Sequence, residues 1–205
     1  MLIEWLGHAC FRLSSANSRL VIDPYEDRRV PGLGLLRTEA EAVLCSHEHG
    51  DHSAVDCVRL TGRPCDIDVE VLDCFHDDQE GALRGANKIF LLSDGEIRLA
   101  RLGDLGHVPA AEQCQKLQEL DALLIPVGGH YTIGPETAQE IIALLRPRVV
   151  IPMHYRIPLQ FGYKEIAPLR DFLALRSDVV RYEDNRLSLA KETPPQTAVL
   201  RYRKP

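Results

Sequence analysis

Basic residues are too few and too scattered in this chain to suggest a nucleic-acid binder. The 205 residues hold 24 Lys and Arg against 30 Asp and Glu, which gives a formal net charge of -6. Contacts to a phosphate backbone need clustered positive charge. The densest basic stretch is Arg201, Arg203 and Lys204, which we interpret as a solvated tail. We therefore expect no long nucleic acid among the partners of this protein.

Long apolar runs are also absent, and so is a basic leader with a small-residue cleavage site. No run approaches the roughly 18 apolar residues that a membrane-spanning helix requires. The six cysteines include no Cys-x-x-Cys pair. An even count alone does not predict disulfides, because these need an oxidising compartment. We expect a cytoplasmic protein with reduced thiols and no membrane span.

The chain does have the composition of a globular domain, with 45% hydrophobic and 26% charged residues. A chain of this length can bury a substantial core, and no linker divides it, so we predict a single domain over 1–205. Periodicity predicts strands first and then alternating strands and helices, which is typical of an α/β fold. The predicted strands cover 2–6, 10–13, 20–22, 42–46, 66–75, 89–92, 97–102, 122–127, 149–153, 179–182 and 197–202. The predicted helices cover 53–60, 109–120, 135–145 and 166–175.

One predicted strand shows a clear alternation. Over 66–75, Ile67, Val69 and Val71 alternate with acidic residues. Such a pattern indicates a half-buried strand whose apolar face lies against the core.

Three of the eight histidines fall within six residues, in the segment His-Glu-His-Gly-Asp-His at 47–52. Zinc and similar cations bind neutral imidazole nitrogen and carboxylate oxygen. Residues two apart in an extended turn project to the same side, so His47 and His49 can hold one cation. Asp51 and His52 are offset and can reach a second. The alternative, a solvated loop that happens to be rich in histidine, is disfavoured by this density.

One segment cannot complete two coordination shells, so further ligands are expected at other strand ends. His76, Asp104 and His154 each follow a predicted strand. Taken singly, each is equally well explained as a polar residue of the core or of a loop. Three such residues at three strand ends favour metal ligands, because strand ends converge in α/β folds.

Other residues near these positions leave alternatives open. His107 follows Asp104 by three residues and either protonates a leaving group or binds a substrate anion, or only orients its own loop. His8 is better explained as a residue that supports the ligands or as a buried, hydrogen-bonded residue, and Asp23 is expected to orient a ligand imidazole. His130 is expected on the surface or at the rim of a cleft. Arg156 is better explained as a surface residue than as a contact to an anionic substrate.

The order of these residues resembles the signature of the metallo-β-lactamase fold superfamily, His-x-His-x-Asp-His followed by a His, an Asp and a final His. The motifs Trp-Leu-Gly-His at 5–8 and Ile-Pro-Met-His at 151–154 are similar to the branch that contains ascorbate-6-phosphate lactonase. The resemblance implies a four-layer αββα sandwich. It also implies one metal held by His47, His49 and His76, a second held by Asp51, His52 and His154, and Asp104 bridging the two.

The activity that this resemblance implies is hydrolysis by a hydroxide that bridges two divalent ions, with Asp51 as proton acceptor. The ligand set suits zinc, with manganese or iron as alternatives. The leading prediction is a hydrolase of a small-molecule ester, lactone or amide. The alternatives are a phosphodiesterase acting on a nucleotide or a phospholipid head group, and a metal-binding protein without catalysis. The oligomeric state does not follow from the sequence.

Overall fold

The computed structural model describes residues 1–203, which form two β-sheets and three short α-helices. Lys204, part of the predicted basic tail, lies outside the described residues, as does Pro205. The strands are β1 (Leu2–Gly7), β2 (Cys10–Ser14), β3 (Arg19–Ile22), β4 (Thr38–Ala40), β5 (Ala42–Leu44), β6 (Val58–Leu60), β7 (Asp68–Phe75), β8 (Ala86–Ser93), β9 (Arg98–Arg101), β10 (Ala122–Pro126), β11 (Val149–Met153), β12 (Val179–Arg181), β13 (Arg186–Ser188) and β14 (Gln196–Val199). The helices are α1 (Ala111–Lys116), α2 (Pro135–Leu145) and α3 (Leu169–Leu173).

The two sheets differ in direction and in size. The first has the strand order β13-β1-β2-β3-β5 and is antiparallel except for the pair β3 and β5. The second has the order β12-β14-β11-β10-β9-β8-β7 and is parallel from β12 to β9. Strands β4 and β6 form a separate pair. This mixture of sheets and crossover helices confirms the predicted α/β class.

Alternate side chains of the first sheet enter different hydrophobic clusters. Trp5, Phe11 and Ile22 belong to the large core that includes the second sheet. Val21 points to a smaller cluster, which also contains Tyr25 and residues of the loop that follows β3. Within residues 1–203, this loop and the short strands β4 and β6 cover the outer face of the first sheet, while buried side chains of all three α-helices join the large core.

The predicted helix over 53–60 is wrong. Only Val55–Cys57 makes a single 3-10 turn, and the next three residues form β6. β6 pairs in parallel with β4, so its backbone N–H and C=O groups form hydrogen bonds between strands instead of along a helix. Val55 and Val58 are also β-branched, which favours an extended backbone over a helix.

The strand predicted over 66–75 is present as β7, but only part of the predicted apolar face is buried, namely Ile67, which directly precedes β7. Val69 and Val71 are 40% and 47% exposed, whereas Leu72 and Cys74 are buried. β7 lies at the edge of the second sheet. Its inner face carries Leu72 and Cys74 against the core, and its outer face is left partly open.

Helix α2 begins and ends where the sequence predicted, with Pro135 in its first turn and Arg146 in a left-handed conformation at its end. Helices α1 and α3 are shorter than predicted, and β4, β6 and β13 were not predicted. No α-helix within residues 1–203 is long and apolar enough to cross a membrane.

A buried ion pair joins the two sheets next to the strand ends. Arg101 at the end of β9 is 0% exposed, and its Nη2 donates to Oδ2 of Asp23 at 2.6 Å and to the carbonyl oxygen of Ala9 at 2.9 Å. Asp23 directly follows β3 and is also 0% exposed. The contact therefore fixes the distance between the end of a first-sheet strand and a second-sheet strand.

We expect Arg101→Met to lower the free energy of unfolding by about 3–5 kcal/mol, because it removes the guanidinium group that pairs with the buried Asp23 carboxylate. Urea denaturation of metal-free protein measures this change. The matched control is Arg59→Met, which removes an exposed arginine paired with Glu39. A loss for Arg101→Met no larger than for this control would contradict a structural role for the buried pair.

Candidate metal centre

The segment 47–52 and three distant residues meet at one edge of the two sheets. The histidine segment begins three residues after β5. His76 directly follows β7, Asp104 lies three residues beyond β9, and His154 directly follows β11. The structure thus places all seven predicted ligands in one cluster, with the strand ends determining where each side chain lies.

The carboxylate of Asp104 lies at the middle of this cluster. Its Oδ2 is 3.0 Å from Nε2 of His154, 3.2 Å from Nε2 of His52 and 3.4 Å from Nε2 of His76. Nε2 of His47 lies 4.0 Å away. One oxygen atom therefore faces imidazoles from both halves of the predicted ligand set, which is the position that a bridging carboxylate would occupy.

The ligand atoms fall into two main groups, each within 4.8 Å of one another. One group is His47, His49 and His76, and the other is His8, Asp51, His52 and His154, while a third set, Asp23, His47 and His52, overlaps both. The first group matches the predicted first ligand set. The second contains the three predicted residues and adds His8, whose Nε2 lies 3.5 Å from Oδ2 of Asp51.

Sequence reasoning placed His8 among buried hydrogen-bonded residues and did not include it with the ligands. It is fully buried, but both ring nitrogens lack a hydrogen-bond partner within the described part of the chain. A usable signal was present, because His8 directly follows β1 just as His76 and His154 follow their strands.

The cluster leaves several buried polar atoms unpartnered among residues 1–203. They include Nε2 of His47, Nε2 of His52 and Oδ1 of Asp104. A buried polar atom without a partner costs on the order of 1–3 kcal/mol. Imidazole nitrogen and carboxylate oxygen are also the atom types that zinc and related cations bind. The residues present therefore fit divalent cations.

Asp23 supports the cluster through contacts with Ser46 and His52. Its carboxylate accepts hydrogen bonds from the backbone N–H of Ser46 at 2.6 Å and from the Ser46 hydroxyl at 2.5 Å, and its Oδ2 lies 2.6 Å from Nδ1 of His52. The Ser46 hydroxyl in turn lies 2.9 Å from Nδ1 of His47. Contacts of this kind orient metal-binding imidazoles and leave Nε2 pointing into the site.

Three residues at this edge have a backbone conformation that side chains rarely adopt. His8, Asp23 and His154 have φ values of 52°, 49° and 53°. Left-handed conformations of non-glycine residues cost energy and persist where the surroundings enforce them. The carbonyl oxygen of His154 also lies so close to Gly128 that a Cβ at that position would overlap it, so this packing requires glycine.

The ionisation of the cluster is set by burial and by the crowding of charges. Burial and the neighbouring His52 lower the pKa of His47 to about 3. Burial alone would lower the pKa of His52, but the carboxylates of Asp104 and Asp23 raise it to about 10. Burial would likewise raise the pKa of Asp104, yet His154 and His52 hold it well below its ordinary value. At neutral pH, Asp104 is therefore anionic and His47 neutral, the forms that a cation needs, whereas His52 is protonated and would have to release a proton when a cation binds.

A cleft of about 290 Å³ opens onto the cluster. Besides five of the proposed ligands, it is lined by Arg29, Arg84, Tyr131 and Tyr163. These four residues come from loops. A larger cavity of about 560 Å³ lies elsewhere and contains none of the clustered residues.

Three further residues singled out in the sequence lie outside this cleft. His107 accepts a hydrogen bond from the backbone N–H of Phe75 at 3.2 Å, and its Nδ1 lies 2.8 Å from the carbonyl oxygen of Val108. Both ring nitrogens thus contact backbone, which favours the loop-orienting alternative for His107. His130 is exposed beside Tyr131. Arg156 lines the larger cavity, where its Nε donates to the carbonyl oxygen of Ile166.

Comparison with known families and proteins gives matches over most of the chain. A family model described as "Beta-lactamase superfamily domain" matches residues 2–154. A UPF0173 metal-dependent hydrolase of Deinococcus radiodurans is 33% identical over 196 residues, which cover 75% of this chain and 83% of that protein. Its counterpart in Pyrobaculum islandicum is 28% identical over 189 residues, with 76% and 84% covered.

Solved structures give the same grouping. A Thermotoga maritima protein, described as a candidate Zn-dependent hydrolase of the metallo-β-lactamase superfamily, has a TM-score of 0.72 and 32% identity. The match covers 97% of this chain and 96% of that chain. A metallo hydrolase from Ignicoccus hospitalis shares the fold at a TM-score of 0.62 and 20% identity, with 85% and 89% covered.

These matches confirm the predicted superfamily and its fold type, while the narrower resemblance to the ascorbate-6-phosphate lactonase branch stays a prediction. The chain belongs to the metallo-β-lactamase superfamily and groups with its metal-dependent hydrolases.

Proposed function

We propose that this protein binds two divalent cations, with zinc favoured, and hydrolyses an ester, lactone or amide bond in a small molecule. The observation that carries the proposal is the position of Asp104, because one of its carboxylate oxygens, Oδ2, faces imidazoles of both ligand groups. A solvated histidine-rich loop would not bury such a carboxylate among four rings.

The proposed ligand sets are those of the two groups, with Asp104 shared between them. One cation would be held by His47, His49 and His76. The other would be held by Asp51, His52 and His154, with His8 close enough to contact Asp51. Divalent cations bound there would lower the pKa of a water molecule and polarise the bond that the water attacks.

Asp51 is the chain's proposed proton acceptor. Burial alone would raise its pKa, but contacts with His8 and His52 lower it well below the ordinary value, so the carboxylate is ionised at neutral pH. The hydroxyl of Tyr163 lies 3.3 Å from Oδ2 of Asp51. This contact holds the carboxylate at the cleft surface, where a substrate and its attacking water would meet.

The size of the cleft supports a small substrate. Its volume of about 290 Å³ is at the lower end of the range that small-molecule sites occupy. Tyr131 and Tyr163, whose ring centroids are 6.0 Å apart, form part of its wall. Such walls can pack against a substrate and exclude water from the bond being cleaved. A phosphodiester of similar size would also fit, so that alternative is an outcome of the substrate test below.

We expect the purified protein to bind two zinc ions per chain. His49→Ala should lower the affinity for one of these ions by at least about a hundredfold, because a ligand is lost. His49 is exposed, so this change leaves the core intact. Isothermal titration calorimetry with zinc measures the effect, and circular dichroism checks the fold. His107→Ala is the matched control and should bind zinc as the original protein does. Equal zinc affinity in both variants would contradict the proposed ligand set.

We expect the zinc-loaded protein to hydrolyse members of a panel of 4-nitrophenyl esters and lactones, and a chelator to abolish this activity until zinc is restored. Asp51→Asn should lower kcat by about a hundredfold or more, because it removes a carboxylate that accepts a proton. Turnover of bis(4-nitrophenyl) phosphate alone would favour the phosphodiesterase alternative. No turnover of any substrate by fully loaded protein would favour a metal-binding protein without catalysis.

A further inference from the structure

Two arginines line the cleft from loops that are far apart in sequence. Arg29 lies in the loop after β3, and Arg84 lies in the loop after β7. Other arginines of the chain, such as Arg37 and Arg148, pair with aspartates. Within residues 1–203, neither cleft arginine has a carboxylate within the 4.0 Å of an ion pair.

The loop that carries Arg84 is held by a buried carboxylate. Asp77, which is 2% exposed, accepts hydrogen bonds at Oδ1 from the backbone N–H groups of Gln79 and Gly81. Its Oδ2 accepts from those of Leu83 and Arg84 at 3.1 Å and 2.7 Å. Four bonds to one side chain fix this irregular segment, so the position of Arg84 is defined before any ligand arrives.

The guanidinium group of Arg84 is oriented as well. It lies 5.8 Å from the ring centroid of Tyr131, and its Nη2 donates to the carbonyl oxygen of His130 at 3.1 Å. A guanidinium carries five N–H donors in a fixed planar arrangement. One of them is used by this carbonyl, so donors remain for a group bound in the cleft.

Arg29 is tied to the site through its main chain. Its carbonyl oxygen lies 3.1 Å from the hydroxyl of Tyr163, the same hydroxyl that lies 3.3 Å from Asp51. Its backbone N–H donates to the carbonyl oxygen of Glu26 at 3.1 Å. The positive charge of Arg29 therefore sits on a segment connected to a proposed metal ligand.

The charge of the cleft favours an anion. Asp51 and Asp104 are its only lining carboxylates among the described residues. Divalent cations at the proposed ligand sets would balance the negative charges of both carboxylates. No negatively charged side chain among the described residues that line the cleft would then remain to balance Arg29 and Arg84. A concave site with excess positive charge attracts anionic ligands.

We infer that the substrate is a small molecule carrying a carboxylate or phosphate group, and that Arg29 and Arg84 bind this oxyanion while the scissile bond lies at the histidine cluster. The inference rests on the proposed hydrolase function and adds the substrate class. Arginine suits the role, because its planar donors match the oxygens of carboxylate and phosphate.

The test compares two esters with the zinc-loaded protein, 4-nitrophenyl hexanoate and the mono-4-nitrophenyl ester of adipic acid. Their acyl chains have equal length and differ in a terminal carboxylate. We expect kcat/KM to favour the adipate ester by about tenfold or more, since a hydrogen bond to a charged group contributes on that order. Arg29→Gln and Arg84→Gln should each reduce this selectivity ratio, chiefly by raising KM for the adipate ester.

Arg28→Gln is the matched control, because Arg28 neighbours Arg29 and carries the same charge but does not line the cleft. It should leave the selectivity ratio unchanged. Inhibition by inorganic phosphate and by acetate then distinguishes the two oxyanions. The anion that resembles the substrate's group should inhibit Arg29→Gln and Arg84→Gln more weakly than it inhibits the original protein, and the other anion should show a smaller difference.

Equal kcat/KM for the two esters, or a ratio unaffected by both cleft variants, would overturn the inference and leave the hydrolase proposal intact. If neither ester is hydrolysed, the proposed ester hydrolysis is contradicted. Equilibrium dialysis with radiolabelled phosphate then still tests whether Arg29 and Arg84 bind an oxyanion. The double variant Arg29→Gln/Arg84→Gln should then bind phosphate at least about tenfold more weakly than the original protein. Equal binding would refute the assignment.

Discussion

The buried carboxylate of Asp104 and the imidazoles around it form the constraint on which the rest of the site depends. An anion at this depth is stable only because four histidine rings lie within 3.0–4.0 Å of one of its oxygens. The rings repel one another when protonated, and several of their nitrogens find no partner in the described chain. Bound cations would resolve both difficulties, because they would bind the free nitrogens and neutralise the carboxylate.

The fold brings these groups together by ending strands at one edge. β1, β3, β5, β7, β9 and β11 each end within a few residues of a side chain of the cluster or of its support. Asp23 and Arg101 then connect the first sheet to the second and hold His52 in place. Stability of the sheet pairing and geometry of the site are therefore linked through the same buried ion pair, and strained backbone at His8 and His154 is tolerated there.

Much of this arrangement could be predicted from sequence, because metal ligands need few residue types and strand ends converge. The ends of β7, β9 and β11 were visible because His76, Asp104 and His154 each follow a segment with a strand-like pattern of apolar residues. Arg29 and Arg84 could not be found in this way, since they lie in irregular loops whose course is set by Asp77 and by contacts with Tyr163. The buried face of β7 was equally inaccessible, because the layers packed on an edge strand decide which of its two faces is covered.

The most direct test of a dinuclear centre is a crystal structure of the zinc-loaded protein with anomalous diffraction measured at the zinc absorption edge. We expect two anomalous peaks, one among His47, His49 and His76 and one among Asp51, His52 and His154, with the Asp104 carboxylate between them. Zinc peaks away from Asp104, or none in a fully folded and loaded crystal, would contradict a metal pair at this edge of the sheets.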